Sequence, residues 1–335
     1  MEIVKNIKVP TGNIVVGRGD RGLLEFLSIG DYGKEKNVKA DFLGLKKDIA
    51  GVPNGEIMPL EEKWVVTIST QYGCSMGCMF CDVPRVGPGV NASFDDLECQ
   101  VVEALKLHPE IGATKRLNIH YARMGEPTFN WNVLDFTFDL RRSIRPFVGR
   151  SLVHPVVSTM LPKNNKRLME YLNVWTIDIK NELFRGDAGL QFSINSTSNS
   201  QRNKMFNGNS LSLEEISEIG KNLIEPRGRK YALNFALADG YMVDADKLSK
   251  LFSPKKFMVK LTPIHKTTTS ERNGIKTHAG YELFTPYKQA ECDLKSAGFD
   301  VIVFVPSYDE DFGMITCGNA ILSGRMPQVP YTEIV

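Results

Sequence analysis

The stretch Gly73-Cys74-Ser75-Met76-Gly77-Cys78-Met79-Phe80-Cys81 constrains this chain more than any other. It follows closely on a strand-like run, Trp64 to Thr70. A loop beyond a strand therefore carries three cysteines spaced Cys-x-x-x-Cys-x-x-Cys, with an aromatic residue before the last. Three thiolates this close can occupy three corners of an iron–sulfur cluster. A fourth cysteine would close the site, whereas three leave one iron open to a substrate or cofactor. A structural zinc site asks instead for four nitrogen or sulfur ligands in paired spacings. The nearest further cysteine, Cys99, sits in a helix-like run without that spacing. A disulfide fits poorly too: the chain shows no signal-peptide pattern, and reduced cysteines in the cytoplasm are the expectation.

The 335 residues suffice for one barrel or two ordinary domains. With 42% hydrophobic and 24% charged residues the chain can bury a sizeable core, which excludes global disorder. A formal net charge of +2 neither demands nor forbids a nucleic-acid partner, because a local basic patch decides that. No apolar run reaches the roughly 18–20 residues of a membrane span, so no membrane association is expected. Short-period repeats are missing, which removes solenoids.

Residues 1–62 read as a small β-rich extension. Leu23 to Ile29 has strand character, Arg18-Gly19-Asp20 reads as a turn and Lys46-Lys47 as part of a solvated loop. Residues 63–305 then alternate. Strands are expected at Trp64 to Thr70, Leu117 to Ala122, Val153 to Ser158, Val174 to Ile179, Leu190 to Asn195, Tyr231 to Ala236, Phe257 to Leu261 and Val301 to Val305. Ser93 is a candidate N-cap, with Asp95 and Asp96 in the first turn of a helix running to about Leu107. Further helices are expected at Trp131 to Ile144, Asn165 to Leu172, Ser212 to Leu223, Ala245 to Phe252 and Tyr281 to Ala297. Such alternation implies right-handed βαβ units, a parallel sheet and an α/β fold, with ligands at the C-terminal ends of the strands. The glycines of Val86-Gly87-Pro88-Gly89 suit a backbone passing close to a cluster or cofactor. Asp239, Asp244 and Asp246 have the wrong spacing for a calcium loop and read as a polar turn. Residues 306–335 form a C-terminal segment with Cys317, preceded by Asp309 to Gly313 as a flexible tether.

The cysteine loop closely resembles that of the radical S-adenosylmethionine (SAM) enzymes, and Gly125-Glu126-Pro127 after the second strand resembles the motif that holds the SAM amino group there. Within that superfamily the similarity sharpens to the RlmN/Cfr RNA adenine methyltransferases. Ser69-Thr70-Gln71-Tyr72-Gly73-Cys74 is similar to their Ser-Ser-Gln-Val-Gly-Cys, and Met124-Gly125-Glu126-Pro127 matches their Met-Gly-Glu-Pro. Val157-Ser158-Thr159, Phe192-Ser193-Ile194-Asn195 and Thr316-Cys317-Gly318-Asn319 follow in the family's order. The resemblance implies a partial (β/α)6 barrel and a [4Fe-4S] cluster on Cys74, Cys78 and Cys81. It also implies SAM contacts from Gly125, Glu126, Pro127, Ser158, Ser193 and His265. RNA or a nucleotide would be the substrate, and a flavodoxin- or ferredoxin-type reductase the electron donor. Cys317 matches the cysteine that carries the methyl group to an sp² carbon of adenine.

Three departures accompany the match. Thr67 stands where the family has the cysteine that resolves the protein–RNA adduct, and His265 lies near the position of a family asparagine. The short β-like extension differs from the family's N-terminal helical RNA-binding domain. Lys255, Lys256, Lys260, His265, Lys266, Arg272 and Lys276 form a basic stretch able to follow a phosphate backbone, or simply a solvated face. The other reading of the scaffold is a radical-SAM enzyme acting on a nucleotide, peptide or small molecule. A metal-binding redox module without catalysis has no use for Gly125-Glu126-Pro127.

Overall fold

Alternating apolar side chains turn the first residues into an antiparallel meander of β1 (Glu2–Val9), β2 (Gly12–Gly19) and β3 (Gly22–Ile29), with a tight turn at Asp20-Arg21. The computed structural model describes residues 1–31, 57–277, 285–306 and 308–334. The Lys46-Lys47 loop and the first residues of the helix expected from Tyr281 lie outside them. After the meander come β4 (Trp64–Ile68), a small hairpin of β5 (Gln71–Gly73) and β6 (Pro88–Asn91), and helix α1 (Phe94–Lys106). The chain continues through β7 (Leu117–Tyr121), α2 (Asn132–Val148), β8 (Val153–Thr159), α3 (Leu168–Val174), β9 (Gly189–Ser193), α4 (Asn199–Met205), α5 (Leu213–Asn222) and β10 (Tyr231–Leu237). It ends with α6 (Ala245–Leu251), β11 (Phe257–Pro263), α7 (Thr268–Arg272), α8 (Thr285–Ser296), β12 (Val301–Val303), α9 (Tyr308–Phe312) and β13 (Thr332–Glu333).

One sheet holds nearly all the strands, in the order β12-β11-β10-β9-β8-β7-β4-β3-β2-β1-β13. From β4 through β12 neighbouring strands are parallel, the mark of βαβ crossovers, and among the described residues the sheet does not close into a barrel. The expected six-stranded partial barrel corresponds to β4 and β7–β11, with β12 as a seventh parallel strand. The N-terminal extension continues the same sheet, because β3 pairs antiparallel with β4. The C-terminal β13 covers the far edge by pairing with β1.

Strand alternation sorts the side chains. Trp64, Val66 and Ile68, Leu117, Ile119 and Tyr121, and Val259 and Leu261 enter the main core. The opposite parity puts Thr67, His120, Ser158, Ser193, Asn234 and Lys260 on the other face of the sheet. A second core joins the two ends of the chain: Ile7, Ile14, Val16, Leu27 and Ile29 pack with Met314, Ile315 and Ile321. Each buried aliphatic side chain contributes about 1.5–3 kcal/mol, so this cluster binds the C-terminal segment firmly to the meander.

Local signals act as read. Ser93 and Ser212 each form a capping box, with Asp96 and Glu215 respectively, and such a cap stabilises a helix by about 1 kcal/mol. The expected strand from Val174 to Ile179 is instead a π-helical continuation of α3 over Trp175–Leu183. There the Trp175 indole donates to Gly189 O at 3.1 Å, and Trp175 and Ile179 are buried in the main core. The expected tether at Asp309 to Gly313 is largely helix α9, with Glu310 and Asp311 buried. No helix among the described residues is long and apolar enough to cross a membrane.

Candidate active site

The C-terminal ends of β4, β7, β8, β9 and β11 lead into one group of loops. The cysteine loop leaves β5 through Gly73, whose φ of +79° suits glycine; a Cβ there would lie 2.1 Å from Gly87 O. The glycine-rich stretch thus lies against the cysteine loop, and Cys74 N donates to Gly87 O at 3.1 Å. On its other side the loop is clamped by residues around α7. Thr267 Oγ1 donates to Phe80 O at 2.9 Å and Asn273 Nδ2 to Met79 O at 2.8 Å. The buried Asp82 carboxylate accepts from the backbone of Thr268 and Thr269, at 3.0 and 2.8 Å, and from the Thr269 hydroxyl at 2.6 Å.

Cys74 and Cys78 sit among Met76, Met160, Phe80, Phe129 and Phe206, with Cys78 Sγ 3.4 Å from Met160 Sδ. Burial in these surroundings pushes the Cys74 thiol up to about 11 and raises Cys78 and Cys81 well above the ordinary thiol range. The Cys78 thiol is also opposed by charge on Cys81 and Cys74, so the three face a common space. Among the described residues no three Cys, His, Asp or Glu side chains close tightly enough to share a single metal ion. Thiolates that ligate three different irons stand farther apart than that. The donor set fits a cluster: three half-buried thiols among apolar side chains lack the positive charge that iron would bring to ionise them.

The second loop follows β7. Gly125 has φ +99°, and a Cβ on it would come within 2.6 Å of the Gln71 side chain. Gln71 stitches the two loops, since Glu126 N donates to its Oε1 at 2.9 Å and Thr70 N donates to Met124 O at 2.8 Å. The Glu126 side chain is buried. Its Oε1 accepts from Thr128 N at 3.2 Å and Thr128 Oγ1 at 2.8 Å, and its Oε2 from Met160 N at 3.0 Å. Burial raises its pKa, although these donors pull the other way. The Thr159 side chain also hydrogen-bonds to the carboxylate, so its partners are all neutral donors.

Cys317 belongs to the same group. Gly318 O accepts from Asp82 N at 2.9 Å, and a Cβ on Gly318 would stand 3.7 Å from Cys81 Cα. The Cys317 side chain is solvent-exposed, yet it lies in a crowded recess that raises its thiol pKa. Lys260 and Arg123 counter that rise. Lys260 also lies within electrostatic reach of His120, which burial, chiefly, holds neutral with a pKa of about 3. Cys317 and His120 thus both lie within electrostatic reach of Lys260. Ser158 and Ser193 stand on the polar face of the sheet near the ends of β8 and β9. His265 turns toward the C-terminal segment, with Nδ1 3.1 Å from Asp311 Oδ1. Cys99 lies on α1 beside the N-terminal amine and Cys292 on α8. The basic stretch is split by the length of β11: Lys256 caps carbonyls of Lys221 and Leu223 at one end, while Lys266, Arg272 and Lys276 lie beyond the other.

Sequence reasoning missed Gln71, Asp82, Thr128 and the buried pair of Arg123 with Glu25. Gln71 lies inside a quoted motif and Asp82 directly follows the cysteine loop, so proximity could have flagged them. Arg123 directly precedes Met124-Gly125-Glu126-Pro127, but nothing local points to its partner Glu25.

No family model matches the chain. A ribosomal RNA large subunit methyltransferase N of Nitrosopumilus maritimus is 25% identical over 220 residues, 63% of this chain and 59% of that protein. A dual-specificity RNA methyltransferase RlmN of Campylobacter lari is 22% identical over 273 residues, 79% of this chain and 72% of the relative. The chain spans between 50% and 59% of the length of several of these relatives, among them those of Frankia alni and Nitrosopumilus maritimus. The crystal structure of a radical SAM methyltransferase from Sphaerobacter thermophilus superposes with a TM-score of 0.63 at 19% identity, covering 92% of this chain and 77% of that one. The chain thus has the radical-SAM fold and is a distant sequence relative of the RlmN methyltransferases.

Proposed function

We propose that the chain is a radical-SAM enzyme that methylates a base of RNA through Cys317. In this reading Cys74, Cys78 and Cys81 hold a [4Fe-4S] cluster. Glu126 meets the SAM ammonium beside Gly125 and Pro127, with further SAM contacts from Ser158, Ser193 and His265. When bound, the cluster supplies the electron that cleaves SAM, drawn from a flavodoxin- or ferredoxin-type reductase. The chain's own residues prepare the site. Gln71 fixes the backbone of Glu126, Thr128 orients its carboxylate, and aromatic and thioether side chains line one side of the cysteines. Cys317 would accept a methyl group at sulfur as the S–CH3 bond of SAM breaks, its thiol proton going to solvent and S-adenosylhomocysteine leaving.

One observation carries the reading. The 2.9 Å hydrogen bond from Asp82 N to Gly318 O ties the residue after the last loop cysteine to the residue after Cys317. An exposed cysteine with no role in the reaction has no need to stand there. The RNA substrate rests on the names of the relatives.

A second reading is favoured by Thr67, whose hydroxyl cannot act as a resolving thiol. In it the same scaffold alters a nucleotide, peptide or small molecule without a Cys317 adduct. Mass spectrometry of Cys317 after anaerobic expression separates the two. S-methylation is expected from the first reading; SAM cleavage with unmodified Cys317 would favour the second. Iron and sulfide analysis of the Cys74→Ala/Cys78→Ala/Cys81→Ala protein tests the cluster, and a retained full cluster would sink its assignment.

A further inference from the structure

The residues on either side of Cys317 are pinned from several directions. Arg123, at the end of β7, donates to Met314 O at 2.8 Å and reaches Thr316 O at 3.5 Å. The same guanidinium binds Glu25 of β3 through Nε at 2.9 Å and through Nη2. Glu25 Oε2 in turn accepts from Leu322 N at 3.1 Å. Thr316 Oγ1 donates to Asp311 Oδ1 at 2.8 Å, and Asn319 Nδ2 to Thr316 Oγ1 at 2.9 Å. Both members of the ion pair are buried, Glu25 completely and Arg123 to within 4%. The apolar contacts agree, since Met314, Ile315 and Ile321 pack on the meander.

We infer that Arg123, braced by Glu25, is a positioning residue that fixes the Met314–Leu322 turn so that Cys317 stands beside the cysteine loop. This rests on the reading of Cys317 as the methyl carrier. The guanidinium is suited to the task, because its planar fork serves a carboxylate on one side and two carbonyls on the other. A lysine ammonium is a point charge on a flexible stem and cannot hold all three acceptors in one geometry. The brace also gives the N-terminal meander a part in the reaction: it supplies Glu25 and the apolar floor under the turn.

The test compares Arg123→Lys with the wild type, both loaded with cluster. A second variant, Arg123→Met combined with Glu25→Leu, removes both charges together so that no lone buried charge is left to unfold the chain. Hydrogen exchange followed by mass spectrometry reads the turn directly, because the amides of Met314, Ile315 and Leu322 donate to Asp311 O, Glu310 O and Glu25 Oε2. Exchange in peptides covering 314–322 is expected to quicken at least tenfold, while peptides of β7 and β8 keep the wild-type rate. Reductive cleavage of SAM is expected to stay within about twofold, whereas the S-methylated fraction of Cys317 falls at least tenfold. A merely structural residue would lower all of these in parallel. Wild-type exchange at 314–322 in both variants would overturn the inference. If Cys317 proves unmethylated in the wild type, the methyltransferase reading fails, and the exchange data still decide whether Arg123 holds the turn.

Discussion

Two buried carboxylates stand near the same end of the sheet, Glu25 beside β4 and Glu126 beyond β7, and their surroundings differ. Glu25 meets a guanidinium that the chain itself supplies, and its second oxygen accepts a backbone amide. Glu126 meets only neutral donors: two from Thr128, one from Met160 and one from the Thr159 side chain. The first carboxylate is electrically complete, and its role ends in holding a turn. The second keeps a net negative charge in a buried place, which raises its pKa and leaves it one cation short. A buried carboxylate without its own cation is the arrangement a ligand ammonium can complete. The contrast gives a reason, independent of any motif, to propose Glu126 rather than Glu25 for the ligand.

The largest effect should come from breaking the completed pair. Arg123→Met leaves Glu25 charged, buried and alone, a change that typically costs about 3–5 kcal/mol. Chemical denaturation should show a loss of that size, and a loss below about 1 kcal/mol would mean that the pair is not what holds the turn. Combining it with Glu25→Leu should recover most of the stability, because apolar residues of similar volume often replace a buried pair at little cost.

Glu126→Gln attacks the other side. The amide keeps an acceptor oxygen and loses the charge, and hydrogen bonds to charged groups contribute about 1.5–3 kcal/mol. The SAM dissociation constant is expected to rise about tenfold or more, measured by calorimetry on cluster-loaded protein. An unchanged constant would place Glu126 with Glu25, as framework. Thr128→Ala should do less. It removes one of four donors to the carboxylate, so about 1 kcal/mol of stability is expected to go, with a several-fold weakening of SAM at most. A loss of affinity equal to that of Glu126→Gln would show that Thr128 itself touches the ligand.

This contrast was only half legible in the sequence. The cysteine spacing, Gly125-Glu126-Pro127 and the caps at Ser93 and Ser212 are local patterns, each complete within a few residues, and a linear reading can find them. Glu25 on β3 and Arg123 in the loop after β7 are single charges from distant parts of the chain, and a lone charge looks like a solvated position. Only the β3–β4–β7 order of the sheet brings them together. The same limit explains Trp175–Leu183. A run of β-branched and aromatic residues reads as a strand, but the preceding helix continues into it and buries Trp175 in the core. At Asp309 to Gly313 the acidic composition suggested a mobile tether. Burial of Glu310 and Asp311, with Thr316 bonded to Asp311, makes it an anchor instead.

The smallest effect belongs to Thr67. It lies on β4 between the two carboxylates, in register with Leu27 of β3 and His120 of β7. It bonds to neither carboxylate; its half-buried side chain faces away from the main core. Thr67→Ala should therefore change stability by no more than about 0.5 kcal/mol and leave cluster content and SAM cleavage near wild type. A large loss would mean that the strand hydroxyl belongs to the site. Thr67→Cys asks the sharper question. Thiol exchange needs a thiolate to attack sulfur, and this substitution puts a thiol at the family's resolving position. If the chain binds RNA in the pose of its relatives, adenine methylation of an RNA fragment should appear or increase in the Thr67→Cys protein. Methylation already present with Thr67 in place would show that resolution here proceeds without a second cysteine. Its absence from both proteins, with SAM cleavage intact, would turn the scaffold toward a different substrate.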